Sequence, residues 1–237
     1  MSSFPLFAPL DAAADAARHA VTAFADAVHP VLGASATAAA VVLFTVVVRL
    51  ALHPLARAAY RGERARTRLA PELRRIAERH GGDRAAQLAA QQRLYAREGV
   101  TPFTGCLPML LPLPLFSVMY RLFSLPRLRG HANSLLAQPL FGTPLGAHLA
   151  AASAHPAQLA VFLVLFALIG AVSYVTYRRA RAHGQPLPYL AFGTVLFAAL
   201  LPLAGMLYLL TTTSFTAAER ALLQGRRARS DGAVSPR

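Results

Sequence analysis

The chain has 237 residues, of which 55% are hydrophobic and only 14% are charged. Its mean hydropathy of +0.43 is too high for an ordinary soluble domain of this length, so the composition predicts a membrane protein. The formal net charge is +14, and all 24 basic residues are Arg. In a membrane chain such an excess marks cytoplasmic loops and their attraction to anionic lipids more often than a DNA-binding surface.

The amino-terminal segment, residues 1–34, carries Asp11 and Asp15 and lacks a basic stretch followed by an apolar core. We therefore expect no cleavable signal peptide here. Apolar residues recur at helical spacing over residues 10–29, which predicts an amphipathic helix at the extracytoplasmic membrane interface. Residues 35–56 follow as the first transmembrane helix, since about 20 apolar residues cross the ~30 Å hydrocarbon layer.

Residues 57–103 change character, with 11 Arg against five acidic residues. The helical pattern is interrupted by a Gly-Gly pair, after which Asp83 is a good N-cap, and Gly99 is a good C-cap for the second helix. This pattern predicts a basic cytoplasmic helical hairpin, with helices over roughly 57–80 and 84–98.

The rest of the chain alternates between apolar stretches and polar connections. Prolines in the second transmembrane stretch are tolerated because neighbouring helices and water can satisfy the freed carbonyls. The predicted order is transmembrane helix 2 at 104–123, an extracytoplasmic loop at 124–156, transmembrane helix 3 at 157–177 and a cytoplasmic loop at 178–186.

The last apolar segment could hold one long transmembrane helix or two short ones that turn near Pro202. With two, at 187–201 and 203–219, the hairpin, the 178–186 loop and the basic tail at 220–237 all face the cytoplasm and contain 19 of the 24 Arg. The positive-inside tendency favours this arrangement. The sequence therefore predicts an all-α, polytopic membrane protein with five transmembrane helices, the amino terminus outside and the carboxyl terminus in the cytoplasm.

Arg49 lies among apolar residues, and Thr45, Arg49 and His53 recur at intervals of four, which predicts a polar stripe on one helix face. The only acidic residue in the proposed transmembrane helices is Glu219, at the inner end of the last one, so no carboxylate inside the membrane could pair with Arg49. An unpaired guanidinium facing lipid costs at least ~2.5 kcal/mol. Arg49 therefore either faces a hydrated, inward-open cavity or extends its side chain to the inner headgroups. His53 is interpreted as an interfacial polar residue or as part of that cavity.

No catalytic or metal-binding motif is visible. Cys106 is the only cysteine, so we expect no internal disulfide and no thiolate metal site, and we interpret it as a small packing residue. The motifs of hydrolases, zinc enzymes and nucleotide-binding proteins are missing. We therefore expect no enzyme activity, no cofactor and no metal.

Four stretches together resemble the YidC/Oxa/Alb family of membrane protein insertases. They are TVVVRLALHPL, LAPELRRIAERHG, LYAREGVTPFTGCLPMLLPLPLFSVMYRLF and LPLAGMLYLLTT, in the family's order over about residues 36–224. The chain departs from the family pattern at Thr101, where Asn is usual, at Pro112, where Gln is common, and at Leu209, where Trp is usual. The last two departures remove polar or amphipathic groups from the expected groove region.

The resemblance implies a hydrophilic groove, open to the cytoplasm and to lipid but closed outward, that inserts client proteins. Arg49 matches the family's groove Arg, Thr45 the polar residue one turn before it, and Tyr208 the position that contacts the inserting chain. The cytoplasmic hairpin, with Pro71, Glu72 and Tyr95 in its matching motifs, would receive clients. The implied partners are nascent membrane proteins, with the Sec translocon, the ribosome, signal recognition components and anionic lipids as candidates, in a bacterial plasma membrane.

Two other classes of function remain open at this point. A small-solute or anion transporter could use Arg49 as the counter-charge of its substrate, although an inverted internal repeat, which would favour a transporter, is not visible. A structural assembly subunit would show no insertion activity when purified alone. The large basic hairpin between the first two predicted transmembrane helices favours the insertase.

Overall fold

A computed structural model describes residues 8–99, 112–125, 127–128, 131–182 and 187–233. The start of the second predicted transmembrane helix, with Cys106, lies outside these residues. The described chain is mostly helical, as predicted, but the all-α prediction is incomplete because four short strands pair as two antiparallel ribbons. The strands are β1 (Arg127–Leu128) with β2 (His131–Ala132), and β3 (Pro139–Leu140) with β4 (Thr143–Pro144).

The β3–β4 ribbon forms because its two-residue turn has the right backbone conformation. Phe141 and Gly142 both have positive φ, at 48° and 78°. This left-handed pair is the turn whose twist matches that of the flanking strands. The hydrophobic pattern of the surrounding loop gave no sign of it.

The chain divides into two compact units, one formed by Met1–Arg49 with Ser117–Arg237 and the other by Leu50–Phe116. The described helices, in chain order, are α1 (Ala8–Leu32), α2 (Ala36–Ala51), α3 (His53–Arg79), α4 (Arg84–Arg97), α5 (Pro112–Ser124), α6 (Leu149–Ala152), α7 (Pro156–Ala182), α8 (Gly193–Ala198) and α9 (Leu203–Ala233). Short 3₁₀ turns lie at Gly33–Ser35, Ser134–Ala137 and Pro188–Phe192.

Within the described residues, two stretches are long and apolar enough to cross a membrane by length and composition. They are Pro9–Ala51, which includes α1 from its second residue and all of α2, and α7. The shorter apolar stretch Pro188–Ala198 follows α7. The number of transmembrane helices therefore stays a prediction.

The unit Leu50–Phe116 contains a two-helix hairpin. Leu69 of α3 and Leu94 of α4 are almost fully buried, and the ion pairs Arg97–Glu72 and Arg68–Glu98, at 3.1 and 3.4 Å, join the helices at the surface. These exposed pairs contribute little stability, so the burial of apolar side chains such as these two leucines is what holds the hairpin.

Asp83 begins α4 as the sequence predicts. Its carboxylate accepts a hydrogen bond from the Ala86 backbone N–H at 3.0 Å, which satisfies one of the donors that a helix start leaves unpaired. Gly82, just before it, has a φ of +108°, a conformation open to glycine at no steric cost. The prediction of Asp83 as the N-cap is confirmed.

In the other unit, α7 packs against α9, α8 and the turn Pro188–Phe192. The segment between β3 and α6 also caps α9. The backbone N–H groups of Leu203 and Ala204 donate to the carbonyls of Ala147 and Leu145, both at 2.9 Å. These bonds satisfy donors that the first turn of a helix leaves without internal partners, so they fix α9 to the loop.

The amino-terminal helix α1 is amphipathic and is fixed to the same unit. Its buried face is formed by Ala14, Ala17, Val21 and Ala25, at the helical spacing that the sequence predicts. Asp11 at its start forms an ion pair with Arg121 of α5, and both side chains are about a quarter exposed.

Candidate functional site

Arg49 lies in the last turn of α2 and is half-buried. Its Nε donates a hydrogen bond to Oγ1 of Thr212 at 2.9 Å, across 163 residues of sequence, so it joins α2 to α9. None of the carboxylates that the structure describes forms an ion pair with Arg49. The guanidinium is therefore held among apolar helices by a neutral hydroxyl rather than by a counter-charge.

Tyr208 lies one turn before Thr212 on the same face of α9. The two residues are 2% and 7% exposed, so this face is almost fully buried. Tyr208 therefore lies one helical turn from the residue that binds Arg49, on the same buried face of α9. We refer to Arg49, Tyr208 and Thr212 as the Arg49 cluster.

Thr45 lies one turn before Arg49 on α2 and is 1% exposed. Its hydroxyl donates to the Val41 carbonyl of its own helix at 2.7 Å. This bond inside the helix satisfies the hydroxyl without a partner from another element. A contact between Thr45 and a client therefore stays a prediction.

His53 begins the next helix and belongs to the other unit. The structure interrupts the predicted stretch 35–56 at Leu52, where α2 has ended and α3 has not begun. Pro54 gives the physical reason, since it has no N–H to donate to the carbonyl four residues earlier. The polar stripe of Thr45, Arg49 and His53 is therefore not carried by one unbroken helix.

Thr212 is the residue of the cluster that the sequence analysis missed. The sequence did contain a signal for it. Three threonines, Thr211–Thr213, follow Tyr208 in an apolar helix, and Thr212 lies four residues after Tyr208, on the same helix face. The neighbouring threonines donate to carbonyls of their own helix, Thr211 to Leu207 at 2.8 Å and Thr213 to Leu209 at 2.7 Å. Thr212 is the one that accepts the bond from Arg49.

The three predicted hairpin residues lie on α3 and α4. Pro71 is exposed within α3, Glu72 pairs with Arg97 of α4, and Tyr95 is half-buried on α4. Glu72 therefore acts within the hairpin itself. Among the residues that the structure describes, no group of three or more His, Cys, Asp or Glu is placed to hold a metal ion.

Comparisons with known proteins match most of the chain. The family model described as 60Kd inner membrane protein matches residues 28–230. The membrane protein insertase YidC of Neisseria meningitidis serogroup C is 42% identical over 81 residues, and that of Neisseria gonorrhoeae is 43% identical over 81 residues; each match covers 34% of this chain. The YidC of Caulobacter vibrioides is 34% identical over 103 residues, or 44% of this chain.

These matches cover only 15% to 16% of the length of the curated relatives. The family model covers more of the chain, because it extends from the end of α1 into the last helix. It includes both Arg49 of α2 and its partner Thr212 of α9. The motifs around Arg49 and Tyr208 resemble the same family. The chain belongs to the 60Kd inner membrane protein family, which is the YidC/Oxa family of insertases.

Proposed function

We propose that this chain is a membrane protein insertase and chaperone of a bacterial plasma membrane. The observation that carries the proposal is the Arg49 cluster, in which a guanidinium on an apolar helix is held by Thr212 of α9. The names of the relatives, membrane protein insertase YidC, support the same activity. The chain would act on nascent membrane proteins without a cofactor.

The mechanism follows from electrostatics and solvation. The bond to Thr212 uses one of the five N–H groups of the guanidinium. In the proposal, the others bind water and the polar or acidic groups of a client's hydrophilic segment, which enters a groove beside the cluster from the cytoplasm. Such a wet path shortens the apolar layer in which each unsatisfied backbone group costs several kcal/mol.

The client's apolar segment would move into lipid along exposed apolar helix surface. α7 offers such a surface, with Leu163, Val164 and Leu168 exposed by 58%, 59% and 47%. Burial of apolar client surface in lipid then supplies the driving force, so no nucleotide is consumed.

The proposed topology has five transmembrane helices, the amino terminus outside and the hairpin and carboxyl terminus in the cytoplasm. The distribution of Arg supports it, since the hairpin region alone contains 11 of the 24. In this orientation the α3–α4 hairpin would receive clients at the mouth of the groove. The Sec translocon, the ribosome and signal recognition components are its candidate partners.

The test reconstitutes the purified chain in liposomes and measures protease protection of a short single-span client with an acidic leading segment. We expect wild type to insert the client well above empty vesicles, Arg49→Ala to lose most of this activity and Arg49→Lys to recover part of it, because Lys restores the charge without the planar guanidinium. Arg127→Ala, which removes an exposed Arg from β1, is the matched control and should insert normally.

Folded wild-type protein that inserts no better than empty vesicles, across several clients, would contradict the insertase proposal. Flux of small anions through client-free vesicles, abolished by Arg49→Ala, would identify a transporter instead. If Arg49→Ala and Arg127→Ala both insert like wild type, the Arg49 cluster has no part in insertion.

A further inference from the structure

An aromatic cluster lies at the carboxyl-terminal end of α7. It consists of Tyr174 and Tyr177 of α7 with Tyr189 and Phe192 of the following turn. The ring centre of Tyr177 is 6.4 Å from that of Tyr174, 5.3 Å from that of Tyr189 and 5.5 Å from that of Phe192. Tyr174 and Tyr189 are 51% and 69% exposed, so this cluster forms outer surface rather than core.

Two arginines share the helix face of this aromatic cluster. Tyr174, Tyr177, Arg178 and Arg181 follow the spacing i, i+3, i+4 and i+7, which places them on one side of α7. Both arginines are exposed, and Nη1 of Arg181 lies 3.4 Å from the Tyr177 hydroxyl. In the part of the chain that the structure describes, no carboxylate pairs with Arg178 or Arg181.

Arg179, between them, has a different role. Its Nη1 donates to the Ala217 carbonyl of α9 at 2.7 Å, so it contributes to packing between α7 and α9. The sequence shows three similar arginines, but the structure directs one inward and leaves two on the aromatic face. A surface with two uncompensated cations favours an anionic partner.

The surface next to the aromatic cluster is apolar. Val175 of α7 is 42% exposed, and Leu190, Leu196 and Leu200, which follow in the chain, are 70%, 77% and 72% exposed. Tyrosine is enriched at the level of membrane headgroups, where its ring meets apolar chains and its hydroxyl meets water. The apolar surface would match the acyl chains of a phospholipid, the tyrosines its headgroup level, and the arginines its phosphate.

We propose that Tyr177, Arg178, Tyr189 and Arg181 form a binding site for the phosphate of an anionic phospholipid, whose acyl chains lie along the apolar surface of α7 and α8. The site rests on the membrane location in the proposed function, but not on insertion activity. Arg178 and Arg181 supply the positive charge, and Tyr177 orients Arg181 through the contact between Nη1 and the hydroxyl. The two arginines select an anionic over a zwitterionic headgroup.

The test incorporates the full chain into phosphatidylcholine nanodiscs that contain a small fraction of photoreactive phosphatidylglycerol. Crosslinks are mapped by mass spectrometry to the segment 174–192 and expressed relative to crosslinks elsewhere. Because each Arg near a charged lipid surface contributes roughly fivefold in affinity, Arg178→Gln with Arg181→Gln should lower this yield by at least about fivefold. Tyr177→Phe, which removes only the hydroxyl, should lower it to a smaller extent.

The control variant, Arg84→Gln with Arg93→Gln, removes the same charge from exposed positions of α4 and should keep the wild-type yield. A photoreactive phosphatidylcholine probe should crosslink weakly at 174–192 in every variant. Inorganic phosphate at constant ionic strength should leave the yield unchanged, while unlabelled phosphatidylglycerol should reduce it.

Equal yields for the double variant and its α4 control would overturn the site, as would equal crosslinking by the phosphatidylcholine probe. Displacement by inorganic phosphate would identify a site for free anions and overturn the lipid assignment. A chain that stays outside the nanodiscs would overturn both this site and the membrane location. A chain that shows the lipid preference but inserts no client would contradict the proposed function alone.

Discussion

Thr212→Val tests whether the Arg49–Thr212 hydrogen bond stabilises the packing of α2 on α9. The substitution keeps the size and β-branching of the side chain and removes the oxygen that accepts from Arg49 Nε at 2.9 Å. Hydrogen bonds to charged groups contribute ~1.5 to 3 kcal/mol, and neutral ones between membrane helices average ~0.6 kcal/mol. Arg49 is only half-buried and can gain water, so we expect a loss of about 1 to 2 kcal/mol in the free energy of unfolding.

The measurement is equilibrium unfolding in mixed detergent–SDS micelles, followed by far-ultraviolet circular dichroism. Thr212→Ser keeps the hydroxyl and removes one methyl group. Its loss in the free energy of unfolding should exceed the cost of one buried methyl group by less than about 0.5 kcal/mol. Thr213→Val is the matched control, because the Thr213 hydroxyl donates to carbonyls of its own helix and does not contact Arg49. It should change the free energy by no more than about 0.5 kcal/mol.

A double-mutant cycle with Arg49→Met isolates the pair. The coupling energy between Arg49→Met and Thr212→Val should be about 1 to 2 kcal/mol, well above the ~0.5 kcal/mol within which independent sites add. The cycle of Arg49→Met with Thr213→Val should be additive within that limit. A coupling below it for Thr212, or an equal coupling for both threonines, would refute the reasoning that this hydrogen bond holds α2 to α9.

Three further substitutions test contacts in the two units. Asp83→Ala removes the N-cap of α4 and should cost about 1 kcal/mol, measured as faster limited proteolysis of the hairpin, with Asp83→Asn nearly neutral. Gly146→Ala places a Cβ 3.0 Å from the Cβ of Leu136, so it should cost about 1 to 3 kcal/mol of stability and lower the melting temperature. Gly170→Ala is its control, because the added Cβ meets nothing within 4 Å, and it should leave the melting temperature unchanged. Asp11→Asn breaks the partly buried pair with Arg121 and should destabilise the chain in thermal unfolding, with a difference from wild type that shrinks as salt rises. An unchanged rate of proteolysis for Asp83→Ala would contradict the role of Asp83 as N-cap. An unchanged melting temperature for Gly146→Ala or Asp11→Asn would contradict the contact that each one tests.

Several features could be predicted from the sequence because they are local. Asp83 as an N-cap, the Gly-Gly turn before it and the Arg in an apolar stretch each depend on residues within a few positions of one another. The helical character of the chain follows from apolar residues at helical spacing in the same way. The β3–β4 ribbon was missed because Phe-Gly is not one of the residue pairs that usually mark this turn, and Phe141 has a positive φ that its residue type does not predict.

The sequence by itself determined the class of the protein, the family and the position of Arg49 in an apolar helix. Only the tertiary structure decided which partner Arg49 has, because Thr212 is 163 residues away and three adjacent threonines were equally good candidates by composition. The rotation of α9 about its axis directs Thr212 towards α2, while the hydroxyls of Thr211 and Thr213 donate to backbone carbonyls four residues earlier in α9. Local propensity specifies where a helix lies in the sequence, whereas side-chain partners between helices depend on packing that no short stretch encodes.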